Sequence, residues 1–427
     1  MVTAVLLISL VVFLILEVPV GIAIGISSVA AIVVGDTLSL GYFPQTLVSS
    51  TDSFPIMAIP LFILAGELMG AGGVSRRILN VANVFFGRMA GGLAIVTVVV
   101  CMFFAAVSGS GPATVAAVGG MVVPTMLKRG YSKSFTLALV ATAGSIGVII
   151  PPSIPMVIFG VTTATSISDL FLGGFGPGML IGLSLIAWCR YYSKKNGWSG
   201  DDTPFSWARA WESISEAKWA LLNPLIILGG IYAGVFTPTE AAAVAAVYAF
   251  VCGVFIHREL TFKSILDPIG GACSTTGTTM VILGCASAFT KILTIEQIPA
   301  MITDWLMHVT TNGILILLLL NLLLLIVGCF MDTTPAILVL APILMPVALS
   351  IGVDPVHFGI IMVVNLAIGF ITPPLGINLF VAARVGAAPL DLVTRGIVPF
   401  IIVMISCLML VTYVPQISLA LPHLVGK

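Results

Sequence analysis

Two stretches constrain this chain's fold more than any other: no charged residue lies between Gly91 and Leu127, and none between Ser134 and Ser168. A bilayer core takes about 20 helical residues to cross, so each stretch is too long for one plain span. Backbone amides and carbonyls in lipid must find partners within protein. Each run therefore has to be helical pieces joined at sheltered breaks. The remainder of the 427 residues agrees, with 59% hydrophobic and 8% charged, against about a quarter charged in a soluble domain. A water-soluble globular protein is excluded, and an all-α polytopic membrane protein is expected. Lys plus Arg and Asp plus Glu number 17 each, which leaves no basic field for nucleic acid.

Residues 2 to 35 are apolar apart from Glu17. One helix of that length would run about 50 Å, so the Glu17–Gly21 break is expected to divide two spans. No Lys or Arg precedes Arg76, so the first stretch lacks the basic start of a cleaved signal peptide and is expected to be retained. A third span covers about 54 to 72. From Val74 to Met89, three arginines interleave with apolar residues, as in an interfacial amphipathic arm. Nine charges fall between Arg190 and Lys218, and five of six tryptophans lie in or beside that segment. Trp favours the membrane surface, which predicts a cytoplasmic connector over 191–218. Spans follow near 219–236, 239–256 and 272–290, then a second arm from about Lys291 to His308. The expected organisation is thus scaffold and arm (1–90), a first core half (91–190, hairpin about 91–127, broken helix about 134–165), the connector, a second scaffold and arm (219–308), a second core half (309–390, hairpin about 313–349, broken helix about 355–388), and a terminal span (391–427). The seven scattered cysteines, without a CxxC pair, read as packing residues.

The first core half holds Ser108-Gly109-Ser110-Gly111-Pro112-Ala113-Thr114, and 39 residues after Pro112 comes Gly147-Val148-Ile149-Ile150-Pro151-Pro152. The second holds Met331-Asp332-Thr333-Thr334-Pro335, and 38 residues after Pro335 comes Gly369-Phe370-Ile371-Thr372-Pro373-Pro374. Two breaks recur in the same order, offset by about 222 residues. Such repeats mark secondary transporters. Arg88 and Lys128, Arg129 and Lys133 bracket the first interrupted run, whereas His308, Asp354 and His357 bracket the second, with no Lys or Arg near its ends. Basic residues favour the cytoplasm, which predicts two re-entrant hairpins entering from opposite faces, hence inverted repeats.

Tandem prolines remove donors and keep the preceding residues out of helical geometry, freeing carbonyls around Gly147–Ile150 and Gly369–Thr372. Unwound carbonyls suit Na⁺, and half-helix N-termini suit anionic groups. The expected substrate set comprises the tip residues Ser108, Ser110, Thr114, Asp332, Thr333 and Thr334, with Ser153 and Asn378 beside the broken helices. Asp332 has two readings, as a functional acidic group or as the N-cap of the returning limb. Arg384 reads as an inside anchor. No HExxH or P-loop motif is present, so neither a zinc enzyme nor a nucleotide-driven pump is expected.

Ile59-Pro60-Leu61-Phe62-Ile63-Leu64-Ala65-Gly66-Glu67, Val107-Ser108-Gly109-Ser110, Ile150-Pro151-Pro152-Ser153-Ile154-Pro155, Phe236-Thr237-Pro238-Thr239-Glu240-Ala241 and Ile371-Thr372-Pro373-Pro374-Leu375-Gly376 resemble the large (M, DctM-like) membrane subunit of tripartite ATP-independent periplasmic (TRAP) transporters, over essentially the whole chain. The resemblance implies a multi-pass protein of the bacterial inner membrane and an elevator-type, Na⁺-coupled importer of organic anions such as C4-dicarboxylates, sialic acids or other sugar acids. It further implies a periplasmic substrate-binding protein and a separate small four-helix membrane subunit as partners. It places sodium around Ser108, Gly147 and Ile150 in one half, and around Gly328, Gly369, Thr372 and Leu375 in the other. Gly111-Pro112-Ala113-Thr114 departs from the family, in which many members read Ala-Val-Ala-Asp, so no acidic role carries over there. A passive anion channel and a membrane scaffold subunit are the competing readings.

Overall fold

The computed structural model describes residues 1–35, 38–200, 205–261 and 263–425. Residues 201–204 of the expected connector, and the last two of the expected terminal span, lie outside the described residues. Everything regular among the described residues is helical. Among the described residues, eight helices are long and apolar enough to cross a membrane, and several shorter apolar ones accompany them.

The chain opens with α1 (Val2–Ile15) and α2 (Val20–Gly35), separated at Glu17, whose backbone is left-handed (φ 60°). A short helix, α3 (Tyr42–Thr51), precedes a 3₁₀ turn at Phe54–Met57 and α4 (Ala58–Ala71). The arm α5 (Val74–Phe86) buries Val74, Ile78 and Ala82 on one face and leaves Arg76 exposed on another. The first interrupted run folds as α6 (Gly92–Ser108) and α7 (Gly111–Lys128), and the next as α8 (Lys133–Ser145), a 3₁₀ turn at Ile146–Val148 and α9 (Ile154–Thr163). After α10 (Ile167–Lys195), the chain enters α11 (Trp207–Tyr232), α12 (Pro238–Val251), α13 (Leu266–Ile295) and the second arm α14 (Ile298–Val309). The second interrupted pair is α15 (Gly313–Phe330) and α16 (Thr333–Ser350), then α17 (Pro355–Gly369) and α18 (Ile377–Val385), before α19 (Leu390–Tyr413) and α20 (Gln416–Val425).

Several boundaries differ from those expected. The stretch from Trp207 to Lys218, expected within the connector, forms the first turns of α11, with Trp207 and Trp211 exposed (77% and 75%). Lys291 belongs to α13, which continues to Ile295, so the second arm starts at Ile298. A single basic residue at the rim of a span does not end a helix whose backbone bonds continue. Polar residues in α3 and the short length of α20 hid both from hydropathy.

Helices α1–α5 and α11–α14 pack on one another and form a frame, while α6–α10 and α15–α20 pack together as an inner group. The two groups meet where α4 and α5 touch α6, and where α13 and α14 touch α16. Glycine brings them close: a Cβ on Gly66 of α4 would stand 3.0 Å from the Ser108 Cα. Within the inner group, α8 and α17 are buried along almost their whole lengths. In α17, Asn365 donates to Asn321 of α15 at 2.7 Å, and Asn321 donates to the Thr412 hydroxyl of α19 at 3.1 Å. The amide nitrogens of both are thereby bonded within the core, as buried polar groups usually are, while the Asn365 Oδ1 is buried without a partner.

Candidate transport site at the hairpin tips

Local sequence explains the geometry of each tip. Gly109 takes the left-handed conformation (φ 60°) that ends α6, its N–H bonding the Ala105 carbonyl at 3.2 Å. Such a C-terminal position favours glycine. Extended Ser110 then starts α7, with Pro112 in the first turn. At the second tip, extended Asp332 caps α16, its Oδ1 accepting from the Thr333 N–H at 2.6 Å and from the Thr333 hydroxyl at 3.3 Å. Two helix N-termini, with their unpaired amides and positive dipole ends, are thereby brought together.

They share a cavity of about 90 Å³, lined by Gly109, Ser110, Gly111 and Pro112 from one tip and by Asp332, Thr333 and Thr334 from the other. Val148, Ile154 and Pro155 of the first broken helix and Phe370 of the second complete the inner side. The frame adds Ile63 of α4 and Thr275 and Thr279 of α13. The two threonines escaped the sequence reading, although Ser274-Thr275-Thr276-Gly277-Thr278-Thr279 is an unusual hydroxyl run within a span. Asp332 is the N-cap of α16, and it also lines the cavity.

The other expected substrate residues stand behind the lining. Ser108 and Thr114 hydroxyls lie 3.0 Å apart, and Thr114 donates to the Ser110 carbonyl at 2.7 Å. Ser153 donates to the Val148 carbonyl at 2.6 Å and caps α9. Asn378 donates to the Ala141 carbonyl at 3.1 Å, while its buried Oδ1 has no hydrogen-bond partner. The expected cation residues lie in two places, one set in each half. A Cβ on Gly147 would meet the Thr114 hydroxyl at 2.6 Å and the Ser110 carbonyl at 2.7 Å, which seats the first break directly on the first tip. Ile150, three residues on, packs against Gly178 of α10. In the second set, a Cβ on Gly369 would fall 2.3 Å from the Gly328 carbonyl carbon, so α17 and α15 touch backbone to backbone. Thr372 donates its hydroxyl to the Ile368 carbonyl at 2.8 Å; two lone pairs remain on that oxygen. Leu375 is exposed, and next to it left-handed Gly376 (φ 52°) turns the chain back towards the Thr372 carbonyl. Both breaks contain a cis Pro–Pro bond, Pro151–Pro152 and Pro373–Pro374. Among the described residues no group of three or more His, Cys, Asp or Glu comes together; the oxygens at the tips and breaks are those of carbonyls, hydroxyls and the Asp332 carboxylate.

A family model described as tripartite ATP-independent periplasmic transporter, DctM component, matches residues 7–417. The chain is 51% identical over 407 residues to the isethionate TRAP transporter permease protein DctMQ of Oleidesulfovibrio alaskensis, covering 95% of this chain but 64% of that protein, less than two thirds of its length. It is 42% identical over 405 residues to the C4-dicarboxylate TRAP transporter large permease protein DctM of Pseudomonas aeruginosa, covering 95% and 94%. The crystal structure of the Alcanivorax borkumensis YdaH transporter, a protein of unusual topology, shares the fold with a TM-score of 0.62 at 15% identity, covering 90% of each chain.

Proposed function

The chain belongs to the DctM component family of the tripartite ATP-independent periplasmic transporters, and from that premise we propose that it is the large transmembrane subunit of a Na⁺-coupled importer of small organic anions in the bacterial inner membrane. The observation that carries this reading is the meeting of two hairpin tips, two broken helices and one face of the frame at a single cavity. The anion's carboxylate or sulfonate meets the N-terminal amides of α7 and α16. Sodium is held by the oxygens around Ser108, Gly147 and Ile150, and by those around Gly328, Gly369, Thr372 and Leu375. A cation near the tips also offsets Asp332, which alone would repel an anionic substrate. The inner group moves as an elevator against the frame, carrying both tips past it. A periplasmic substrate-binding protein delivers the anion, and a small four-helix membrane subunit completes the frame.

The test is uptake into proteoliposomes holding the chain with those two partners, using isethionate, C4-dicarboxylates, sialic acid and other sugar acids, with and without an inward Na⁺ gradient. Uptake of one class that needs both the gradient and the partners is expected. Gradient-independent flux through the chain alone would establish the channel reading instead.

A further inference from the structure

A second cavity, about 280 Å³, opens further along α13, where Ser287, Thr290, Lys291 and Thr294 line it opposite Thr162 of α9 and Ser50 of α3. Its residues continue the face that carries Thr275 and Thr279 at the tips, since steps of three or four keep side chains on one side of a helix. Thr279 and Lys291 are twelve residues apart, about 18 Å along the axis. The Thr290 hydroxyl donates to the Leu338 carbonyl of α16 at 3.1 Å, one turn beyond the Thr333–Thr334 tip. The wall of this cavity is thus the same hairpin limb that bears the first site. Lys291 is exposed here, and among the described residues no carboxylate lies within ion-pairing distance of it; the ion pairs of Arg76 and Arg77 with Glu259 sit beyond the opposite end of α13. Each lining hydroxyl gives its one proton to a backbone carbonyl, so the uncompensated ammonium, in a space of several water volumes, is the donor left for an anion. The other end of the same face has the opposite sign: a Cβ on Gly271, one turn before Thr275, would stand 3.6 Å from the Glu67 carboxylate.

We propose that the Lys291 cavity is a second anion-binding site, the outer station of the translocation path, where the carboxylate or sulfonate head of the substrate is taken up by the Lys291 ammonium. The cavity at Thr275 and Thr279 is the inner station, and travel of the tips between them is about 18 Å. This rests on the importer reading, with the Lys291 end of α13 facing outside. Substrate is drawn in by the ammonium at one end of the rail and meets the Glu67 carboxylate near the other.

The test places Ser287→Cys in the full-length chain stripped of its seven native cysteines and reconstituted in proteoliposomes. The rates of modification by an external sulfonatoethyl and an external trimethylammonioethyl methanethiosulfonate are then compared. After correction for their rates with a free thiol, the anionic reagent is expected to react about tenfold faster. Lys291→Gln should abolish that preference and Lys291→Arg should keep it. An equal preference in the Lys291→Gln protein, or no labelling of Ser287→Cys from outside, overturns the proposal. In the reconstituted three-component system, Lys291→Gln should raise the half-saturating concentration of the transported anion about tenfold with little change in the saturated rate. Failure of the unaltered system to transport any anion would count against the importer reading, and the reagent preference would still decide whether an anion site exists.

Discussion

The two hairpin tips occupy equivalent places and are built from different chemistry. Ser110 and Asp332, 222 residues apart, are both extended N-caps, and so are Ser132 and Asp354 at the same offset. Gly147 and Gly369 share that offset too, each pressed against a neighbouring backbone. The first tip closes on itself through the Ser108–Thr114 hydroxyl pair and the Ser110 carbonyl. The second is organised by one carboxylate, Asp332. What recurs is the placement of caps, breaks and contacts, while the side chains that complete each half-site differ. A duplicated backbone plan can thus hold two unlike halves of one site.

The largest effect expected concerns the orientation of the halves. In a cysteine-free background, the exposed positions Ser132 and Ser350 flank the first and second hairpins. With inverted halves, an impermeant thiol reagent added outside should label Ser350→Cys and leave Ser132→Cys unmodified. Labelling of both from one face would break the comparison, because the tips would then enter from the same side.

Next come the glycine contacts. Gly369→Ala drives a methyl into the Gly328 backbone at 2.3 Å, and Gly147→Ala meets the Thr114 hydroxyl and the Ser110 carbonyl at 2.6 and 2.7 Å. Overpacking of this kind costs roughly 3 kcal/mol in the first case and about 2 kcal/mol in the second. Thermal unfolding in detergent should therefore show the larger drop for Gly369→Ala; the reverse order would make the first half the more rigid one.

A smaller difference should separate Thr372 from its counterpart Ile150. Thr372→Val removes the hydroxyl that bonds Ile368, at about 1 kcal/mol of stability, and should raise the Na⁺ concentration for half-maximal uptake about tenfold. Ile150→Val, which removes no oxygen, should stay within about twofold, since only a methylene is lost. Equal Na⁺ dependence in the two variants would exclude the Thr372 side chain from the cation site. The smallest effect belongs to Asp332→Asn, which keeps a good capping acceptor and should change stability by less than about 0.5 kcal/mol, against about 1 kcal/mol for Asp332→Ala. An Asn variant as unstable as the Ala variant would show that charge, not the cap, holds the second tip.

Much of this was legible in the sequence because prolines and charges act locally. Pro151-Pro152 and Pro373-Pro374 cannot continue a helix whatever surrounds them, and the interleaved arginines of α5 specify a one-sided element. The family also followed from short motifs. The frame's share of the cavity was not legible. A hydroxyl in an apolar span can bond the carbonyl one turn back, as Thr279 does to Thr275 at 2.8 Å, and nothing in composition says whether it also faces a neighbour. The path of α13 past Lys291 and the start of α11 at Trp207 were hidden for a related reason: helix continuation depends on backbone bonds, and surface residues punctuate it weakly.

Gly66 has a mechanical consequence. With α4 only a Cβ's width from the Ser108 Cα, the frame and the first hairpin meet there with almost no clearance. Side chains on such a joint act as teeth, and each tooth favours some positions of the slider over others. In the elevator proposed above, a bare backbone at the point of closest approach would keep the track smooth there and leave the resting position of the hairpin to cargo and ions rather than to the shape of the rail.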